Sequence, residues 1–248
     1  MNRLTNIAIV ALSFALLASA TLNVFLYQQG QKYYLQLNAT GLDPLGLNSY
    51  PSSAEKTQQP VIVFYGDSRA ENWPAPDKIR YYQKSVTIIN RGISGQTTAQ
   101  VLGRFQQHVA SLKPKMIVIQ VGVNDLKAIP LFPEQKEAII RNCQTNIGQI
   151  VKNSLDTGAK VVVTTIFPLG TLPIERRPFW SDDVAIAIKD VNDYIKTLAG
   201  DRVIVFDSSQ VLANSQGIVD PKYSRDFLHI NSEGYAALNQ AIAGILVP

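Results

Sequence analysis

Cysteine is almost missing from this 248-residue chain: Cys143 is the only one, which excludes an intrachain disulfide. Histidine is nearly as scarce, with His108 and His229 alone. Two imidazoles and one thiol do not supply the ligand set of a structural zinc site. Charged residues make up only 17% against 46% hydrophobic, which sets aside disorder and coiled coil. The 23 basic groups exceed the 19 acidic ones without forming a basic stripe, and with no nucleic-acid-binding motif the net charge of +4 is no argument for such a partner. The most localised absence is at the start, where no charged residue lies between Arg3 and Lys32.

That uncharged stretch, Ile7 to Tyr27, is long enough for a helix to cross the apolar core of a bilayer. As a secretory signal it would use Arg3 as its basic end and Ala18-Ser19-Ala20 as its cleavage site. Apolar residues continue beyond that site through Leu22, Val24, Phe25 and Leu26, which favours a retained anchor over residues 1–27. Either reading exports the remainder, to a periplasmic, cell-surface or secreted location, with Arg3 weakly favouring an internal N-terminus. Residues 28–59 are rich in Gln, Ser, Gly and Pro without a sustained period and are expected to form a polar stalk. The functional domain is expected over 60–248.

From Pro60 onward, short β-branched runs alternate with segments of helical period. Strands are expected at Val61–Tyr65, Val86–Asn90, Met116–Val121, Lys160–Ile166 and Val203–Phe206, apolar enough to be covered on both faces. Helical stripes run through Val101, Leu102, Phe105, Val109 and Leu112, through Ile139, Ile140, Cys143, Ile147, Ile150 and Val151, and through Val184, Ile188, Val191, Ile195 and Leu198. A last helix is expected from about Asn231-Ser232, with Gly158 and Gly200 as caps of the helices before them. The fold class is α/β, an open parallel sheet with helices on both faces. Functional groups then belong beyond the carboxyl ends of the strands.

Four unusual blocks stand there. Gly66-Asp67-Ser68 follows the first strand, where a serine can present its hydroxyl at a strand-to-helix turn or simply cap the helix. Asn90-Arg91-Gly92-Ile93-Ser94-Gly95 follows the second, and the Gly92 N–H can donate to an oxyanion if the block is more than a glycine turn. Gly122-Val123-Asn124-Asp125 follows the third, with the Asn124 amide as a neutral donor or a turn cap. Asp226-Phe227-Leu228-His229 precedes the last helix, a spacing that lets a carboxylate reach Nδ1 and leaves Nε2 free to take a proton. His108, with no carboxylate near it in sequence, reads as an ordinary buried or surface histidine.

In this order the blocks resemble those of the SGNH, or GDSL-type, hydrolases, a family of esterases and lipases, over about residues 60–247. The resemblance implies a flavodoxin-like three-layer α/β/α sandwich around a five-stranded parallel sheet. It further implies Ser68 as nucleophile, His229 as general base and then acid, Asp226 as its orienting carboxylate, and an oxyanion hole from the Ser68 and Gly92 N–H groups with Asn124. No metal or cofactor is implied. The expected substrate is a small-molecule, lipid or acylated-glycan ester, and an O-acyltransferase or a catalytically silent membrane-tethered binding domain are the competing readings. A flavin or phosphate binder lacks the Gly-rich cradle it would need. Arg69 stands where the family often has Leu and is a candidate for favouring acidic substrates at the rim. The long segment Phe167–Asp183 makes Trp180 a candidate wall of the substrate pocket, with Lys127–Pro133 as a second.

Overall fold

The computed structural model describes residues 2–51, 59–76, 80–81 and 84–246, in two units, Met1–Pro44 and Leu45–Pro248. The first is one helix, α1 (Arg3–Leu42), with no buried residue, and long and apolar enough to cross a membrane. Its polar side chains bond back to the preceding turn, as Thr21 Oγ1 does to the Leu17 carbonyl at 2.9 Å and Asn23 Nδ2 to the Ser19 carbonyl at 2.8 Å. The helix also runs through Gln28–Leu42, where a loosely packed stalk was expected. Gln, Leu, Lys and Ala are good helix formers, and extending an existing helix adds one hydrogen bond per residue fixed. It stops where Pro44 forces Asp43 out of helical conformation (φ −137°, ψ 72°). Beyond it, Leu45–Tyr50 belongs to the second unit, and residues 52–58 of the expected stalk lie outside the described residues.

The second unit is built on five parallel strands: β1 (Val61–Gly66), β2 (Thr87–Gly92), β3 (Met116–Gln120), β4 (Lys160–Thr164) and β5 (Val203–Phe206). They are ordered β2-β1-β3-β4-β5, the flavodoxin-like order. The two-residue period of a strand divides the interior in two. Val61, Val63 and Tyr65 of β1, with Ile117 and Ile119 of β3, face a core shared with three helices, α2 (Thr98–Gly103), α3 (Lys136–Asp156) and α4 (Asp183–Thr197). Ile62, Phe64, Met116 and Val118 face the other way, onto Trp73, Phe167 and the last helix, α5 (Ser232–Leu246). The expected stripes are the buried ones: Cys143, Ile147, Ile150 and Val151 of α3, and Val184, Ile188, Val191 and Ile195 of α4.

Two local expectations differ. The helix expected from Val101 to Leu112 breaks at Arg104 into Thr98–Gly103, Phe105–His108 and a 3-10 turn at Ala110–Leu112. Arg104 is fully buried and donates to the carbonyls of Gly66 and Arg91, both at 2.8 Å. Burying a guanidinium requires such partners. Gly200 caps no helix; α4 ends at Thr197, and Gly200 bridges to Val203 at the start of β5.

Candidate active site

The site forms where β1 leaves the sheet. At Gly66 the backbone has φ +152° and passes so close to β3 that a Cβ would sit 1.7 Å from the Gln120 carbonyl oxygen, so only glycine fits. The chain then turns directly into the short helix Ser68–Glu71, with the Asp67 carboxylate accepting from the Arg69 N–H at 2.9 Å as its cap. Ser68 is the first residue of that helix and is 8% exposed.

The Ser68 hydroxyl lies 3.1 Å from His229 Nε2, and His229 Nδ1 lies 2.9 and 3.0 Å from the two oxygens of Asp226. The loop before α5 is folded around that carboxylate. Asp226 Oδ1 also accepts the N–H groups of Leu228 and His229, both at 2.8 Å. Burial pulls the Asp226 carboxyl upward, but the Leu228 N–H, the His229 ring and the His229 N–H together outweigh it and hold the group below its ordinary range. The expected Ser68, His229 and Asp226 are thus one hydrogen-bonded series. It opens on a cavity of about 380 Å³ whose walls include Asn72, Ser94, Gly95, Asn124, Lys127 and Arg225.

Asn124 stands at the cavity on the short helix Val123–Leu126. One of its amide hydrogens goes to the Gln96 carbonyl at 2.9 Å, leaving the second as a donor. Its own helix carries no side-chain cap; the neighbouring Asp125 instead holds the start of α2, its oxygens accepting the Thr98 N–H at 2.9 Å and the Thr98 hydroxyl at 2.6 Å.

Three expected site residues are placed differently. The Gly92 N–H is already engaged, donating to Asn90 Oδ1 at 2.8 Å. Gly92 packs under the Ser68–Glu71 helix, where a Cβ would lie 2.1 Å from the Glu71 nitrogen. The glycine at the cavity is Gly95 (φ +78°); its place at the far end of the same block was the signal available in the sequence. Arg69 borders the cavity but presents no exposed rim, because its side chain is fully buried. It donates through Nε to the Leu228 carbonyl at 2.9 Å and through Nη1 to the Phe167 carbonyl at 3.0 Å, so it pins the histidine loop to the serine turn. Trp180 is absent from the cavity wall and meets the Phe227 ring edge-on at 5.2 Å. His108 is buried, with Nδ1 3.3 Å from Arg104 Nη1 and Nε2 3.1 Å from the Leu47 carbonyl.

Asp67 gives the domain a pH signature. Burial pushes its carboxyl up to about 6, against the opposing charge of Arg69. A buried acid with a raised pKa binds more protons folded than unfolded between about pH 4 and pH 6, so its contribution to stability falls as pH rises through that window. Asp67→Asn retains an acceptor for the Arg69 N–H and loses the titration. Urea unfolding at pH 4.5 and pH 7, followed by tryptophan fluorescence, is expected to show the variant gaining about 2 kcal/mol relative to the parent across the interval. A constant difference at both pH values would assign the raised pKa elsewhere.

A hydroxyl, an imidazole and a carboxylate thus stand in series at the carboxyl edge of an α/β sandwich. The chain belongs to the GDSL-like lipase/acylhydrolase family, whose model matches residues 53–237, and it is an ester hydrolase of that type. It is 27% identical over 195 residues to the platelet-activating factor acetylhydrolase IB subunit alpha1 of Rattus norvegicus, covering 77% of each chain. Among solved structures, one from Streptococcus pneumonia named for platelet activating factor has a TM-score of 0.68 at 19% identity, covering 88% of this chain and 99% of that one. A catalytic mutant of an acetylxylan esterase from Geobacillus stearothermophilus has a TM-score of 0.55 at 17% identity, covering 77% and 94%. At these identities the structural likenesses establish the fold.

Proposed function

We propose that the chain hydrolyses short-acyl carboxylic esters, acetyl esters foremost, through an acyl-serine intermediate. The observation that carries this reading is the unbroken series from the Ser68 hydroxyl through His229 to Asp226 at the cavity. Ser68 Oγ attacks the ester carbonyl as its proton passes to His229 Nε2, and Asp226 stabilises the imidazolium. The oxyanion that forms is met by the Ser68 N–H, the Gly95 N–H and the second amide hydrogen of Asn124. His229 then protonates the departing alcohol, and a water attacks the acyl-enzyme by the same route in reverse. The His229 side chain is 23% exposed, so water reaches the base, which favours hydrolysis over transfer to a bound acceptor. The acetyl preference draws on the acetyl substrates in the names of the rat and Geobacillus proteins. In this reading α1 anchors the domain on the extracytoplasmic face of a membrane.

Release of p-nitrophenol from acetyl, butyryl, octanoyl and palmitoyl esters tests the reading. Turnover concentrated on the two short esters is expected; rates rising toward palmitate would refute the acyl preference, and no turnover would refute the activity. Within that assay, Asn124→Ala is expected to lower kcat about 100- to 1,000-fold, the usual effect of losing one oxyanion donor, with KM little changed. An Asn124→Ala enzyme near the parent kcat would remove Asn124 from the oxyanion site.

A further inference from the structure

Leu45–Tyr50 follows the long helix in sequence, yet it folds against the loop that reaches the active site. Gln96, the residue after Gly95, donates from Nε2 to the Leu45 carbonyl at 2.8 Å. The Tyr50 hydroxyl donates to the Gly92 carbonyl, and the Arg91 guanidinium lies 4.6 Å over the Tyr50 ring. Gly46, at φ +66°, lies so close that a Cβ would be 3.0 Å from Ile93 Cδ1 and 3.1 Å from Gln96 Nε2. The segment therefore grips the block from Gly92 to Gln96 at both ends.

Every polar group at the head of the Gln96 side chain is engaged, and so is its carbonyl. Oε1 accepts from Arg104 Nε at 2.5 Å, Nε2 holds Leu45, and the backbone oxygen accepts from Asn124 Nδ2 at 2.9 Å. The last contact is the consequential one. The χ2 torsion of an asparagine is broad and roughly two-fold, so an unheld amide presents its hydrogens over a wide arc. Holding one hydrogen on the Gln96 carbonyl aims the other. Gly95 offers no packing of its own, since a Cβ there would meet nothing within 4 Å. Hydrogen bonds at its neighbours hold the tip of the loop, from the Ser94 hydroxyl to the Glu71 carboxylate on one side and from Gln96 on the other.

We propose that Gln96 is a positioning residue for the Asn124 amide and that Leu45–Tyr50 is the strap that holds it. The proposal rests on the esterase reading and adds to it a part played by residues outside the four blocks. Gln96→Glu isolates the strap contact: the isosteric carboxylate keeps an acceptor for Arg104 but has no N–H for the Leu45 carbonyl. Tyr50→Phe releases the other end of the same loop by removing one hydroxyl.

The test is the hydrolysis of p-nitrophenyl acetate by the full chain, with each variant made alone and in an Asn124→Ala background. Gln96→Glu is expected to lower kcat about tenfold at unchanged KM in the parent, and less than about twofold once Asn124 is gone, the non-additivity of residues acting through one group. Tyr50→Phe is expected to follow the same pattern with a fall of about threefold, and it serves if Gln96→Glu does not fold. Equal falls in both backgrounds would mark a general structural role and overturn the proposal. Parent-like kcat in both variants would overturn it too, leaving the esterase reading standing. An unmodified chain without turnover on any ester would refute that reading, and this proposal with it.

Discussion

Ser68→Ala is expected to abolish ester turnover while leaving the domain folded. The Ser68 side chain touches one functional partner, His229 Nε2. The contacts that hold its turn come from the backbone, where the Ser68 carbonyl accepts the Asn72 N–H at 2.9 Å and Asn72 Nδ2 at 2.8 Å. Alanine keeps both. It removes the nucleophile, and removing one member of a serine triad costs about 10⁴-fold or more in kcat. Two measurements check this together: the rate on p-nitrophenyl acetate, and stoichiometric labelling by a fluorophosphonate, which the parent should show and the variant should lose. Retained labelling at another residue would move the nucleophile from Ser68.

The second large effect is expected from Asp226→Asn, for a reason the loop geometry makes specific. Two backbone N–H groups, from Leu228 and His229, fix Oδ1 at 2.8 Å each. The amide oxygen of an asparagine must occupy that position, since its NH₂ would meet two donors there. The NH₂ then takes the place of Oδ2, 2.9 Å from His229 Nδ1. Nδ1 then faces the NH₂ at 2.9 Å and the amide oxygen at 3.0 Å; accepting from the NH₂ puts the ring proton on Nε2, where it cannot receive one from Ser68, and no carboxylate is left to stabilise the imidazolium. The geometry survives without the carboxylate that selects the tautomer, and kcat is expected to fall about 10⁴-fold. KM and the unfolding midpoint should stay near those of the parent. A variant with more than about a tenth of the parent kcat would show that Asp226 does not set the tautomer.

The order of β and α segments was legible because parallel strands carry continuous apolar runs and the helices carry clear stripes. Ser68, Asp226 and His229 were legible as candidates through the order of the four blocks and the family they resemble, and the structure brings Ser68 and His229 within hydrogen-bond distance across 161 residues. What was not legible depends on contacts that spacing does not encode. Which glycine of Asn90–Gly95 stands at the cavity, and that the Gly92 N–H is engaged, turn on the loop's tertiary course and on the Asn90 side chain folding back onto Gly92. The burial of Arg69 depends on carbonyls 159 and 98 residues away. Trp180 was misplaced because the ring that holds it, Phe227, lies in a distant loop. The Gln28–Leu42 helix was hidden by composition, since a segment without an apolar stripe gives no periodic signal even where its Gln, Lys, Leu and Ala residues favour helix.

The unbroken course of α1 makes it a ruler. Its 40 residues rise about 60 Å in all, twice the roughly 30 Å of a bilayer's apolar core. With the uncharged part in a membrane, Gln28–Leu42 stands clear of it as a rod of about 20 Å rather than a coil of fluctuating length. Length and azimuth on such a rod can be altered separately. Removing seven residues withdraws its end by about 10 Å and returns it within about 20° of the same face. Removing five withdraws it less and turns it by about 140°.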